Sequence, residues 1–142
     1  MRLFLDSSVL LAASGSARGA SREIFRLASS QGWSLIATPY VVEEVLSNLP
    51  DLIPAATTDW APLRQNLILL DDVLTLDRPV VFSPAKDRPI LFSALAWADV
   101  LLTLDRGDFA ELLGHSFYDL AVLTPGDFLQ RERAAGRLSV DV

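Results

Sequence analysis

Apolar positions in this chain fall into short continuous runs that alternate with stretches of helical period. Residues 3–5 form the first such run and predict a strand, with residues 9–13 continuing as a helix. Residues 14–19 are small and predict a loop. Ile24, Phe25, Leu27 and Ala28 then recur at helical spacing, with Ser21 as the expected cap and Gly32 as the stop. Residues 33–37 predict a second strand. Thr38-Pro39 reads as a helix start, a hydroxyl cap followed by proline at the first helical position. That helix carries Val41, Val42, Val45, Leu46 and Leu49 and ends at Pro50. Residues 51–62 are expected to be irregular apart from a short helix from Asp59. Residues 67–70 predict a strand, and residues 80–82 are a further apolar run. A helix is expected from about Arg88 to Trp97, a buried strand over residues 100–103, a helix over 109–113 and a last strand over 120–123. Thr124-Pro125 opens the final helix, and Asp127 in its first turn suits the positive end of the helix dipole.

Strands alternating with helices predict an α/β fold of three layers, a central, mainly parallel sheet of about five strands flanked by helices. At 142 residues the chain has the length of one domain, read as residues 1–142, and 51% apolar residues argue against disorder. In such sheets the functional crevice lies at the carboxyl ends of the strands.

Composition narrows the chemistry. The absence of cysteine excludes disulfides, zinc–thiolate sites and thiol catalysis. His115 is the only histidine, and no Gly-x-Ser-x-Gly elbow accompanies it, so hydrolytic chemistry would rest on carboxylates. A net charge of −6 makes a poor non-specific nucleic-acid binder. It is compatible with a nuclease, because part of that charge would belong to a carboxylate site that cations neutralise. The first 17 residues have a faint signal-peptide look, but Asp6 interrupts the apolar run and Arg2 is the only basic flank. No apolar stretch is long enough to span a membrane, and the expected location is the cytoplasm.

Strand-end logic sorts the acidic residues. Asp6 directly follows the first strand, and Asp105 follows the strand at 100–103 within two residues. Each has an ordinary explanation, a helix cap for Asp6 and a turn for Asp105. Two strands delivering an Asp to the same edge make a shared site the better one. Glu43 and Glu44 point about 100° apart on their helix, and spacing alone does not choose between them. Asp87 precedes a helix and reads either as its cap or as a ligand facing the crevice. Asp99 lies at the opposite end of the sheet; Asp71, Asp72 and Asp77 read as a solvated face, Asp119 and Asp127 as turn and cap, and His115 as a surface residue. Carboxylates converging without His or Cys form a hard-oxygen site suited to Mg²⁺ or Mn²⁺, whose natural chemistry is phosphodiester hydrolysis.

These residues resemble the motifs of the PIN-domain family, in its toxin-like, VapC-type subgroup. Leu3-Phe4-Leu5-Asp6-Ser7-Ser8-Val9-Leu10 is similar to the family's strand-Asp-Thr-Asn-Val-Leu opening. Residues 16–22 resemble the small-residue segment that follows it, and Thr38-Pro39 through Glu43-Glu44-Val45-Leu46 the helix bearing the family's acidic residue, with Glu44 the better match. Asp87-Arg88-Pro89-Ile90-Leu91 through Ala98-Asp99 to Thr103-Leu104-Asp105 is similar to the family's Asp, helix and Thr-Gly-Asp run, and residues 123–129 resemble its ending. Three positions depart from the pattern. Ser8 stands where Asn is usual, Leu104 replaces Gly, and Gly107 is inserted so that Asp108 is displaced.

The resemblance implies a PIN-like fold and a metal-dependent endoribonuclease that cuts single-stranded or loop RNA, the toxin of a toxin–antitoxin pair. Asp6, Glu44, Asp87 and Asp105 would bind the metal and carry catalysis, with Ser8 and Asp108 auxiliary. It further implies an antitoxin protein as partner and a homodimer. Arg18, Arg22 and Arg106 are the candidate RNA contacts; Arg26 shares a helix face with Arg22, while Arg131, Arg133 and Arg137 suit the end of the last helix. Two rival readings remain. One is a catalytically degenerate interaction module on the same fold, motivated by Ser8 and Leu104. The other is an aspartyl-phosphate enzyme or receiver, which would need an acid at position 8 or an acidic pair with a strand-end lysine; Lys86, the only lysine, precedes a helix instead.

Overall fold

A computed structural model describes residues 1–76, 82 and 85–138. Six strands form one sheet in the order β3-β2-β1-β4-β6-β5. They are β1 (Arg2–Leu5), β2 (Ser34–Ala37), β3 (Ile68–Leu69), β4 (Val100–Leu102), β5 (His115–Phe117) and β6 (Leu120–Leu123). All neighbours run parallel except β5, which pairs antiparallel with β6 at one edge. Leu3, Phe4 and Leu5 are all fully buried, as are Leu101 and Leu102. Successive side chains on a strand point to opposite faces, so continuous burial means that both faces of the sheet are covered. The fold is therefore the three-layer α/β arrangement expected, with one strand more.

Among the described residues the α-helices are α1 (Ser7–Gly15), α2 (Ala20–Gln31), α3 (Pro39–Asn48), α4 (Pro54–Gln65), α5 (Arg88–Trp97) and α6 (Pro125–Ala134). α2 ends as expected at Gly32, whose φ of 70° is the left-handed conformation that glycine adopts without strain. The Trp33 amide reaches back to the Ala28 carbonyl and closes that end. α6 is capped by the Thr124 hydroxyl, which accepts from the Asp127 amide.

Several local expectations are corrected. Ser21 lies inside α2, and Gly19 occupies the cap position, its carbonyl accepting from the Glu23 amide at 3.1 Å. Residues 51–62 are not irregular: Pro54 at the first helical position starts α4, which buries Ala56, Trp60 and Leu63. Residues 109–113 form successive turns rather than a helix. Thr38 holds the cap position of α3, but its hydroxyl makes no capping bond. The cap comes from Asp72, whose Oδ2 accepts from the Tyr40 amide at 3.1 Å, so Asp72 is half-buried structure rather than a solvated charge. Asp77 and most of the run at 80–82 lie outside the described residues. No described helix is long and apolar enough to cross a membrane.

The chain reverses its direction of travel across the sheet between β1 and β4, which lie side by side at the centre. Open α/β sheets place their crevice at such a switch point, beyond the carboxyl ends of the two strands. Asp6 and Thr103 are the residues that immediately follow β1 and β4.

Candidate active site

Asp6 is only 3% exposed, yet its carboxylate is fully engaged. Oδ1 accepts from the Ser7 amide at 2.7 Å, so Asp6 does cap α1. Oδ2 accepts from the Thr103 hydroxyl at 2.7 Å and from the Ser8 hydroxyl at 3.2 Å. Both hydroxyls also accept from the loop after β4, Thr103 from the Asp105 amide at 3.0 Å and Ser8 from the Leu104 amide at 3.0 Å. Ser8 and Thr103 thus tie the two strand ends together. A hydroxyl suffices at position 8 because it bridges one acceptor and one donor.

The Asp105 Oδ1 accepts from the Gly107 and Asp108 amides, both at 3.0 Å. This turn folds the inserted glycine under Asp105 and brings Asp108 back toward the crevice. One ligand oxygen each from Asp87, Asp105 and Asp108 lie within 4.8 Å of one another. Asp108, displaced along the sequence, is therefore a central member of the cluster. Asp87 occupies the cap position of α5 but makes no capping bond, and its buried Oδ2 has no hydrogen-bond partner among the described residues. The same holds for Oε1 of Glu44. Glu43 is exposed, whereas Glu44 is half-buried and feels the charges of Asp6 and Asp105. Asp99 is structural, as expected: its Oδ2 accepts from the Arg2 amide at 2.7 Å.

The electrostatics follow from crowding acids away from water. Burial pushes Asp6 up from the ordinary aspartate range, against its hydrogen bonds from Thr103, Ser7 and Ser8, and nearby Asp105 adds to the rise. Glu44 is raised by burial and then by Asp6. Asp87 is pushed up to about 8, first by burial, then by its hydrogen bond to Asp108 and the charges of Asp108 and Asp6. Asp108 moves down, because the Asp87 proton and the Lys86 ammonium both stabilise its carboxylate. Asp87 and Asp108 thus shift in opposite directions, Asp87 holding its proton more tightly and Asp108 less.

Two residues in this crevice were not singled out from sequence. The Lys86 ammonium lies 3.1 Å from the Asp108 Oδ2. The Tyr40 hydroxyl donates to the Lys86 carbonyl at 2.5 Å and is raised by burial and by the charges of Glu44 and Asp87. Tyr40 stands one helical turn before Glu44, a spacing that sets both on one face of α3 and was visible in the sequence. Of the expected RNA contacts, Arg18 and Arg106 are exposed, but Arg22 is turned inward. Its guanidinium donates to the Ala13 carbonyl at 2.6 Å and to Asp59 at 3.0 Å.

The donor set fits a hard divalent cation. It contains only oxygens, three carboxylates converge, and buried oxygens on Asp87 and Glu44 have no hydrogen-bond partner among the described residues. No protein-family model matches the chain, and no curated protein matches it by sequence. Among solved structures it is similar to a chain in the crystal structure of VapBC2 from Rickettsia felis bound to a DNA fragment from their promoter. The two superpose with a TM-score of 0.59 at 11% identity, over 86% of this chain and 97% of the other. At that identity the likeness establishes the fold.

Proposed function

We propose that the protein is a Mg²⁺- or Mn²⁺-dependent endoribonuclease of the PIN type that cleaves single-stranded or loop RNA, acting as the toxin of a toxin–antitoxin pair. The observation that carries the reading is the cluster of Asp87, Asp105 and Asp108 beside the sheet's switch point, near enough to Asp6 and Glu44 for their charges to be felt, with buried oxygens on Asp87 and Glu44 lacking a hydrogen-bond partner among the described residues. The fold shared with a chain of the VapBC2 structure agrees with it and supports an antitoxin protein as partner. A homodimer acting in the cytoplasm belongs to the same reading.

Asp6, Glu44, Asp87 and Asp105 hold the cation, and Asp108 assists them. When bound, the cation supplies Lewis-acid polarisation of the phosphodiester and lowers the pKa of an attacking water. The chain's own residues fix the geometry. Ser8 and Thr103 lock the Asp6 carboxylate and the backbone of residues 104–105 into one unit. Asp105 is oriented by two backbone amides, which aim its remaining oxygen at the cluster. Lys86 and Arg106 stand at the rim, where a non-bridging phosphate oxygen would meet positive charge. Water adds to phosphorus, the bond to the leaving ribose oxygen breaks, and that oxygen takes up a proton.

The test is cleavage of a panel of single-stranded and hairpin RNAs with Mg²⁺, Mn²⁺ or chelator. Metal-dependent cutting is expected for the wild type, with a loss of about 10²–10⁴-fold in both Asp6→Asn and Asp105→Asn. A folded wild type that cuts no RNA and takes up no metal by calorimetry would overturn the proposal. One observation favours the second reading, a non-catalytic interaction module. Lys86 already sits on Asp108 and supplies an internal cation. On that reading Asp6→Asn leaves partner binding intact and metal is irrelevant to it.

A further inference from the structure

Arginines gather on one side of an otherwise acidic molecule of net charge −6. Between the starts of α2 and α6 lies a hollow of about 320 Å³ lined by Arg18, Arg26 and Arg133, with Glu23 the only carboxylate. Beside it is a second hollow of about 370 Å³, bordered by Leu104 and Arg106 from the loop that carries Asp105. Gly19, Ala20 and Gly126 border both, so the two form one groove that leads away from the carboxylate cluster.

The neighbouring arginines are committed elsewhere. Arg22 is bonded to Ala13 and Asp59, Arg131 donates to the Gly114 carbonyl, and Arg137 pairs with Glu132. Arg26 bonds Glu23 within the groove. That leaves four guanidinium groups along the groove, those of Arg18, Arg26, Arg106 and Arg133, against one carboxylate. No aromatic side chain lines either hollow, so the groove has no platform for stacking bases. What it offers is positive charge in a row, the chemistry that tracks a phosphate backbone without reading its sequence.

We propose that this groove holds the sugar–phosphate backbone of single-stranded RNA on one side of the scissile bond, running from Arg106 past Arg18 to Arg26 and Arg133. The identity of the strand rests on the ribonuclease reading. The groove reaches the loop that carries Asp105 through Leu104 and Arg106, so a phosphodiester chain leaving it runs toward the proposed reactive groups, whereas an acidic peptide would run toward repelling carboxylates. Glu23 weakens the grip, and it lets the bound strand leave.

The experiment measures binding of a labelled single-stranded RNA to cleavage-deficient Asp6→Asn protein in Mg²⁺ across a salt series, by fluorescence anisotropy. Adding the triple substitution Arg18→Gln/Arg26→Gln/Arg133→Gln is expected to weaken binding and make the log–log salt slope shallower by about 2, near 0.7 per lost phosphate contact. Glu23→Gln is expected to tighten binding. Arg64→Gln, which lines neither hollow, should change nothing. A triple variant with wild-type circular dichroism, affinity and salt slope overturns the groove, even if the wild type cleaves RNA. Arginine-dependent binding by a protein that never cuts leaves the groove standing and removes the ribonuclease. Arginine-dependent binding of an acidic peptide but not RNA overturns the assignment to nucleic acid.

Discussion

Thr103 is fully buried and hydrogen-bonds two of the groups proposed to work together, the Asp6 carboxylate and the Asp105 amide. A residue in that position fixes its neighbours' geometry without touching substrate. Thr103→Val keeps the shape of the side chain and removes both bonds. Metal affinity is expected to fall about 10–100-fold, the usual cost of losing a partner that orients a ligand, measured by titration calorimetry on protein that still melts cooperatively. Unchanged affinity would mean that Asp6 is held by Ser7 and Ser8 alone. At this scale the sequence told much but not all. Asp6 and Asp105 were legible because strand ends are legible. Asp108 read as displaced because an inserted glycine moves it along the chain, while the turn under Asp105 returns it in space. Lys86 and Tyr40 were missed because nothing local marks a side chain whose partner comes from another segment.

At the scale of elements, the helix that carries Glu44 depends on a residue far along the chain. Asp72 caps α3 through the Tyr40 amide in place of the unbonded Thr38 hydroxyl. Asp72→Ala is expected to cost about 1 kcal/mol in chemical denaturation, the typical price of a lost cap, and to lower activity by loosening Glu44. A stability within experimental error of wild type would show that Thr38 takes over the cap. The strands β1, β2, β4 and β6 and the helices α5 and α6 were readable from apolar runs and from proline at helix starts. β5 was not. Its hairpin turn uses Tyr118 and Asp119 at φ of 50° and 69°, where glycine or asparagine is the usual signal, so nothing in the residues announced a turn of that hand. α4 was hidden by its threonines and an internal Pro62, and it forms because Ala56, Trp60 and Leu63 pack into the core.

For the whole molecule, gathering raised carboxylates has a consequence for stability. In the metal-free protein the folded state holds protons on Asp6, Glu44 and Asp87 that the unfolded chain has already released. Such groups contribute stability that is fully present below the ordinary carboxylate range of the unfolded chain and is lost as pH rises toward about 8, where Asp87 ionises. Asp108, lowered and only partly buried, works in the opposite sense. The melting temperature in chelator is therefore expected to fall between pH 5 and pH 8 (both about). Mg²⁺ should restore it at the upper end, and Asp87→Asn should flatten the profile. A melting temperature that climbs with pH in chelator would show that the cluster is not strained by its own charge.

The sheet order carries one more implication. β1 lies at the centre of the sheet, and its β4 side stays open until the chain has reached residue 100. The Asp6–Thr103 bond spans 97 positions. Chains built from such distant pairings fold slowly, since a long loop must close before any contact rewards it. On the ribosome, then, a growing chain carries Asp6 and Glu44 for dozens of residues before Asp105 follows to join them. If the proposed ribonuclease reading holds, such a chain is harmless to the message being translated until the segment through Asp108 has been made.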